Sequence, residues 1–395
     1  MSTHKTIIPP ADRIRVVEEY YFSKKQKEIA RMNADGKQVL NLGIGNPDTA
    51  PSEETINMLI ESGKKPDNHG YQSYIGTPEL RGAFAKWYQK YFGVALDPET
   101  EILPLIGSKE GIMHISLSFV NAGDAVLVPN PGYPTYRSVS NIVGAEIIEY
   151  DLCEEKGWQP DFEALEKQDL SKVKIMWVNY PNMPTGARAS EELFQKLVDF
   201  GAKHHILIVN DNPYSFIQND QQLSILNARG AFDVAIELNS LSKSHNMAGW
   251  RIGMVGGNAE YIQNILRVKS NMDSGTFLPT QLAAAKALSN PASWYEQINV
   301  TYTDRKEVAF EILESLGCTI DKNQVGMFVW AKIPDSIQSV EKLSDHLLHN
   351  AGVFITPGII FGSNGQRYLR ISLCTDKAVL QIALDRIKAV LPISI

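Results

Sequence analysis

The sequence predicts an α/β fold: a large, mostly parallel sheet covered by helices, followed by a smaller α+β unit. Three observations predict it. Short apolar runs at 102–106, 123–129, 145–150, 173–178, 206–209 and 234–238 alternate with amphipathic stretches of helical length. That is the pattern of strands buried on both faces of a parallel sheet. Several of these runs end in loops rich in Gly, Ser, Lys, Asp and Tyr, and open α/β sheets bind ligands beyond the carboxyl ends of their strands. From Ser289 the texture changes to one long helical stretch, 294–316, and then to short strands at 326–330, 352–355 and 368–373 between helices at 340–350 and 377–390.

Bulk properties narrow the class. With 395 residues, 44% of them hydrophobic, the chain can bury more than one core. A net charge of −7 without a basic stripe makes nucleic acid and anionic membrane poor partners. Three scattered cysteines, Cys153, Cys318 and Cys374, argue for a reducing compartment, hence a cytoplasmic location, and against a disulfide frame. No C-x-x-C or H-x-x-x-H spacing points to a metal, and His204-His205 reads as a helix end. The first ten residues lack an apolar signal core, and no run approaches the ~18 apolar residues of a membrane span.

In chain order, Asp12 is expected to cap a helix over 13–21, followed by a basic helical stretch over 23–32. A short strand at 39–42 runs into Gly43-Ile44-Gly45-Asn46-Pro47-Asp48, a tight loop with exposed backbone donors. A loop carrying Tyr71 and Tyr74 leads to a helix over 79–91, with Thr77 as N-cap and Pro78 at its first position. Strand 102–106 ends in Gly107-Ser108-Lys109-Glu110-Gly111 before a helix to 119, a strand–turn–helix start suited to phosphate. Strand 123–129 leads to Asn130-Pro131-Gly132-Tyr133-Pro134, a rigid loop that presents Tyr133 to an aromatic ligand.

Strand 173–178 leads to Tyr180-Pro181-Asn182-Met183-Pro184-Thr185-Gly186 and a helix over 191–203. Strand 206–209 ends in Asn210-Asp211-Asn212-Pro213-Tyr214. An acid at the end of a buried strand is costly unless it meets a partner, such as a cationic ring nitrogen. After strand 234–238 come Ser240, Ser242 and Lys243, then Gly249-Trp250-Arg251-Ile252-Gly253. A lone S-x-K is an ordinary solvated lysine. A lysine among hydroxyls with an arginine eight positions on suits a phosphate-bearing carbonyl cofactor. Arg370 lies inside an otherwise apolar strand and needs an anion, either a structural acid or a substrate carboxylate.

Taken together, S-x-S-K…G-W-R-x-G with upstream N-D-x-x-Y and downstream R-x-S resembles the class I/II aminotransferases of the pyridoxal-phosphate fold type I family, from Asn41 to Leu373. The resemblance implies a small domain made from both chain ends, with 1–50 as arm and part of that domain, 51–288 as the cofactor domain and 289–395 completing the small one. It implies that Lys243 is the Schiff-base lysine, that Asp211 meets the pyridine nitrogen, and that Tyr214 meets the ring hydroxyl. Gly107, Ser108, Lys109, Ser240, Ser242 and Arg251 match phosphate or near-phosphate positions, and Tyr133 the ring-stacking aromatic. Arg370 matches the holder of the substrate α-carboxylate, with Gly45 in the glycine loop beside it. Tyr71 matches a tyrosine that reaches the neighbouring subunit's phosphate, which implies a homodimer with shared sites.

Two departures stand out. The family usually has Asn directly before Pro-Thr-Gly; here that position is Met183, so either the loop shifts and Asn182 serves, which is the favoured reading, or Tyr214 acts alone. No second arginine for a side-chain carboxylate can be placed, and the stretch 271–277, expected to line the pocket, suits a neutral or modestly polar side chain. The implied activity is ping-pong amino transfer between an α-amino acid and a 2-oxo acid. A C–S lyase or decarboxylase on the same fold is the alternative, with a non-catalytic regulator behind it. Segments 19–22 and 41–48 are most similar to the branch containing LL-diaminopimelate aminotransferases.

Overall fold

The computed structural model describes residues 7–15 and 21–393. Its centre is a seven-stranded sheet in the spatial order Ile102–Leu105, Gly253–Gly257, Ala235–Ser240, Leu207–Asp211, Val173–Val178, Ala125–Asn130 and Glu146–Asp151. Gly253–Gly257 runs antiparallel to both neighbours, and the other pairings are parallel. Alternation along each strand builds two cores. Leu127, Met176, Val178 and Ile208 face helices Pro78–Phe92 and Glu191–His204, while Val128, Ile175, Trp177 and Val209 face Ser108–Phe119 and Ala259–Lys269. Both faces are covered, so the strands read as near-continuous apolar runs.

A second, antiparallel sheet orders Thr356–Pro357, Tyr368–Ser372, Phe328–Lys332 and Thr319–Ile320. Helices Ala292–Ser315 and Lys377–Lys388 pack against it through Val308, Ile312, Leu380 and Leu384. The early segment joins this late one: Leu40–Asn41 pairs in parallel with Val353–Phe354, and Ile29 and Met32 pack on Leu348 and Phe354. Among the described residues, no helix is long and apolar enough to cross a membrane.

The helix starts and stops follow local chemistry. Thr77 accepts from Leu80 N with Pro78 at the first position, as expected, and Gly93 at φ +70° closes that helix. Differences lie mainly at the edges. Asp12 sits inside a short 3-10 turn, Asp12–Ile14, rather than capping a helix. Residues 16–20, including Glu19 and Tyr20, lie outside the described residues, and the basic stretch is one helix, Tyr21–Ala34. The strand expected at 326–330 begins at Phe328, because Gly326 adopts φ +84°. Helices Glu53–Gly63, Ala259–Lys269 and Leu278–Ala287 were not anticipated from periodicity.

Candidate active site

The carboxyl ends of the central strands open onto a cavity of about 540 Å³. Lys243 enters it from a single helical turn, Leu241–Ser244, directly after strand Ala235–Ser240. Ser240 Oγ accepts from Ser242 N at 3.1 Å and caps that turn. The Lys243 ammonium donates to Gly45 O at 2.5 Å. Burial pushes its pKa below the usual lysine range, and the positive charges of Arg370 and Arg251 act in the same direction.

Asp211 ends the neighbouring strand and is buried. Tyr136 donates to its Oδ2 at 2.9 Å, while Oδ1 is buried with no hydrogen-bond partner among the described residues. Burial pushes the Asp211 pKa up to about 6, against the lowering effect of the Tyr136 hydroxyl. Tyr136 is itself fixed by stacking on Trp177, with centroids 5.1 Å apart and planes 5° from parallel. Asn179 directly follows the neighbouring strand Val173–Val178; its amide donates to Asp211 O and its Oδ1 accepts from Met183 N at 2.8 Å. Tyr133 and Tyr214 also line the cavity, and burial raises both phenols.

One end of the cavity suits an anion. Ser108 opens a twelve-residue helix, and Ser240, Ser242, Lys109 and Arg251 lie around it. Gly107 sits at φ +80°, and a Cβ there would lie 2.2 Å from Arg251 Nη2, so only glycine leaves the guanidinium its place. Arg251 is itself left-handed at φ +59° and donates to Ala248 O at 2.8 Å. Glu110 Oε2 ties the turn down by accepting from Ile106 N at 2.6 Å.

At the opposite end Arg370 lies in strand Tyr368–Ser372, its register partners being Trp330 and Thr356. It is buried, donates to Gly43 O at 2.7 Å, and its guanidinium carbon lies 3.9 Å from the Phe328 ring centroid and 4.6 Å from that of Phe361. Gly45 packs on Phe328, where a Cβ would clash at 2.4 Å. Arg305 grips Asp48 with two bonds of 2.8 Å and holds the glycine loop between Lys243 and Arg370.

The expected residues Gly45, Ser108, Lys109, Tyr133, Asp211, Tyr214, Ser240, Ser242, Lys243, Arg251 and Arg370 therefore share one cavity, with Gly107 beneath Arg251. Asn182 does not line it, contrary to expectation. Its Oδ1 accepts from the Thr185 hydroxyl at 2.8 Å and its amide donates to Asn179 O at 3.1 Å, so the side chain is consumed in holding the turn. Met183 and Asn179 line the cavity instead. Tyr71 is 94% exposed and does not line the cavity. The stretch 271–277 is outside it too; Gly275 at φ +84° packs on Gln72, and Lys269 donates to Tyr74 O at 3.1 Å. Tyr136, Asn179, Phe22, Gln26, Phe328 and Phe361 are lining residues that sequence reasoning missed. Asn179 had a signal: like Asp211, it directly follows a buried apolar run.

Glu110, His114 and Asp273 bring possible metal-ligand atoms within 4.8 Å of one another. Lys269 Nζ already lies 2.9 Å from Asp273, so an ammonium supplies the positive charge there. The cluster links the turn at 106–110 to the loop at 72–74.

Residues 37–387 match the family model described as aminotransferase class I and II. The chain is similar to the LL-diaminopimelate aminotransferase of Halothermothrix orenii, 40% identical over 380 residues, covering 96% of this chain and 97% of the relative. That of Aquifex aeolicus is 41% identical over 380 residues, covering 96% and 98%. Among solved structures, substrate-bound BacF from Bacillus subtilis matches with a TM-score of 0.90 at 37% identity, covering 97% of this chain and 98% of its own.

Proposed function

The chain belongs to the class I and II aminotransferases, pyridoxal-phosphate enzymes that move amino groups between amino acids and 2-oxo acids, and from that premise we propose that its donor is LL-diaminopimelate and its catalytic centre the cavity around Lys243. The donor rests on the names of relatives about 40% identical over nearly the whole chain. The stretch 271–277 does not bear on the donor within one subunit, since it lies outside that subunit's cavity. The lyase and decarboxylase alternatives are not favoured by these relatives.

The observation that carries the site is Asp211 Oδ1, a buried acceptor without a partner among the described residues, in the same cavity as Lys243 and Arg370. It fits the N–H of a pyridinium. The serine hydroxyls, the helix start at Ser108 and Arg251 over the Cβ-free Gly107 fit a phosphate. Bound there, pyridoxal phosphate supplies an electron sink for the charge left when an α-proton departs.

The chain's own groups do the rest. Arg370 holds the substrate α-carboxylate through its planar donors and so orients the Cα–H bond. Lys243 Nζ, its affinity for protons lowered by burial, would take the α-proton and deliver one to the cofactor carbon joined to the substrate nitrogen. Asp211 Oδ1 keeps a proton on the ring nitrogen. Tyr214, kept neutral by burial, would donate a hydrogen bond to the ring oxygen. Tyr133, Phe328 and Phe361 exclude water around the reacting atoms.

The reading includes a homodimer in which Tyr71 reaches the partner's phosphate site. Its support is a patch holding Tyr71, Tyr74, Met272 and Phe277, all exposed in the single chain. It also takes 51–288 as the cofactor domain, with 1–50 and 289–395 as the smaller one, supported by the pairing of Leu40–Asn41 with Val353–Phe354. A cytoplasmic location is supported by three cysteines without disulfides.

The test is to mix holoenzyme with single amino acids, without a 2-oxo acid, and follow the cofactor's visible band. LL-diaminopimelate should convert it, and aspartate, alanine and methionine should do so far more slowly. Conversion by one of those three with none by LL-diaminopimelate would refute the donor and leave the activity standing.

A further inference from the structure

We infer that Met183 is a positioning residue that aims Arg370 at the substrate carboxylate through its thioether sulfur; the inference rests on Arg370 being the carboxylate holder. Met183 Sδ lies 3.3 Å from Arg370 Nη1, and the side chain is 5% exposed and lines the cavity. The other terminal nitrogen, Nη2, donates to Gly43 O at 2.7 Å. The two contacts sit at different nitrogens of one planar group, and the rings of Phe328 and Phe361 lie within 4.6 Å of its central carbon. Together they set both the plane and the direction of the guanidinium.

The chemistry of the sulfur matters. A thioether is a weak, neutral acceptor. It takes one N–H without supplying a counter-charge, and a carbonyl does the same on the other side. The sulfur itself therefore does not compete with an incoming carboxylate for the guanidinium, whereas an acid at residue 183 would. The sulfur is also held from behind. Met183 N donates to Asn179 Oδ1, and the Asn179 amide donates to Asp211 O. One asparagine thus connects the strand end that carries Asp211 with the loop that aims Arg370, so both ends of the site are held in one frame.

A leucine at this position has nearly the same volume and no acceptor, so it removes the sulfur contact while keeping the packing. A glutamine restores a neutral acceptor. The experiment is calorimetric titration of pentanoate, a carboxylate without an amino group to react, into the holoenzyme and into Met183→Leu, Met183→Gln and Arg370→Ala. Arg370→Ala is expected to lose binding by roughly 100-fold or more. Met183→Leu should weaken it about five-fold, and Met183→Gln should return it to within about two-fold of the parent. In steady-state kinetics Met183→Leu should raise KM for the amino donor and the 2-oxo acceptor alike, with kcat little changed, because both carry the same carboxylate.

Parent-like pentanoate binding by Met183→Leu, with Arg370→Ala still defective, would overturn the role of the sulfur and leave Arg370 in place. Equal weakening by Leu and Gln would also overturn it, since shape rather than the acceptor would then matter. Parent-like binding by Arg370→Ala would instead remove the carboxylate-holder reading on which the inference rests.

Discussion

The Tyr136 hydroxyl donates to Asp211 Oδ2 at 2.9 Å, so one carboxylate oxygen is held while the other, Oδ1, is buried without a partner among the described residues. This pair governs how the site responds to pH. Burial, with the charge of Glu237 behind it, drives the Asp211 pKa upward, and the Tyr136 bond is the largest effect opposing it. Tyr136→Phe should raise that pKa further, by roughly one unit for the loss of a hydrogen bond to a charged group. The acidic limb of kcat/KM against pH should move to higher pH by the same amount. An unmoved limb in a folded, cofactor-loaded variant would separate Tyr136 from the ionisation of Asp211.

Asp211 should also cost the cofactor-free protein stability. Its folded pKa of about 6 lies above the unfolded 3.8. The stabilising contribution of the protonated acid is complete below the unfolded value and lost as pH rises through the folded one. Asp211→Asn should therefore stabilise the cofactor-free chain at pH 8 by up to about 3 kcal/mol relative to the parent, with the difference shrinking towards pH 4. The same variant should lose turnover by about 10²-fold or more, since an amide cannot hold a proton on the ring nitrogen. Thermal unfolding at the two pH values, beside steady-state rates, checks both halves.

Lys243→Ala should abolish transamination, with a loss of at least about 10³-fold expected from removing a positioned base. Lys243→Arg should be equally poor, because a guanidinium stays protonated across the working pH range. Undiminished turnover by either purified variant would remove the assignment.

Gly107→Ala should act on cofactor affinity. The new methyl would meet Arg251 Nη2 at 2.2 Å and would sit at a backbone φ of +80°. Displacing the guanidinium and straining the turn together should raise the cofactor dissociation constant roughly 10- to 100-fold. At saturating cofactor kcat should change much less. Equilibrium dialysis against pyridoxal phosphate measures the first quantity directly.

Tyr71→Phe should weaken cofactor binding about five-fold, the loss of one hydrogen bond, although Tyr71 is 94% exposed in the single chain. Sedimentation should give a dimer for both proteins. A fully active monomer, or a Tyr71→Phe protein that binds cofactor as tightly as the parent, would overturn the shared site.

Much of the site was legible because its signals are local. A lysine one helical turn beyond a strand, a glycine–serine turn before a helix and an acid ending an apolar run are each readable over a few residues, and tertiary structure then gathers Lys243, Ser108 and Asp211 into one cavity. Thr77-Pro78 starts its helix where expected because capping is a contact between close neighbours. Asn179 and Tyr136 escaped notice because their importance lies in what they touch across the sheet, Asp211 in both cases.

The sequence by itself determined the fold class and the order of the central strands, and it singled out Lys243, Asp211, Arg251 and Arg370 as candidates, since periodicity and turn chemistry are properties of short stretches. Tertiary structure decided which of two adjacent residues faces the site. Asn182 and Met183 differ by one position, yet the asparagine is consumed by its own turn while the methionine reaches Arg370, 187 residues away. The direction of a side chain in a loop is set by the hydrogen bonds that close the loop and by the strands that flank it. Those partners are distant in the chain and meet only once both sheets have formed.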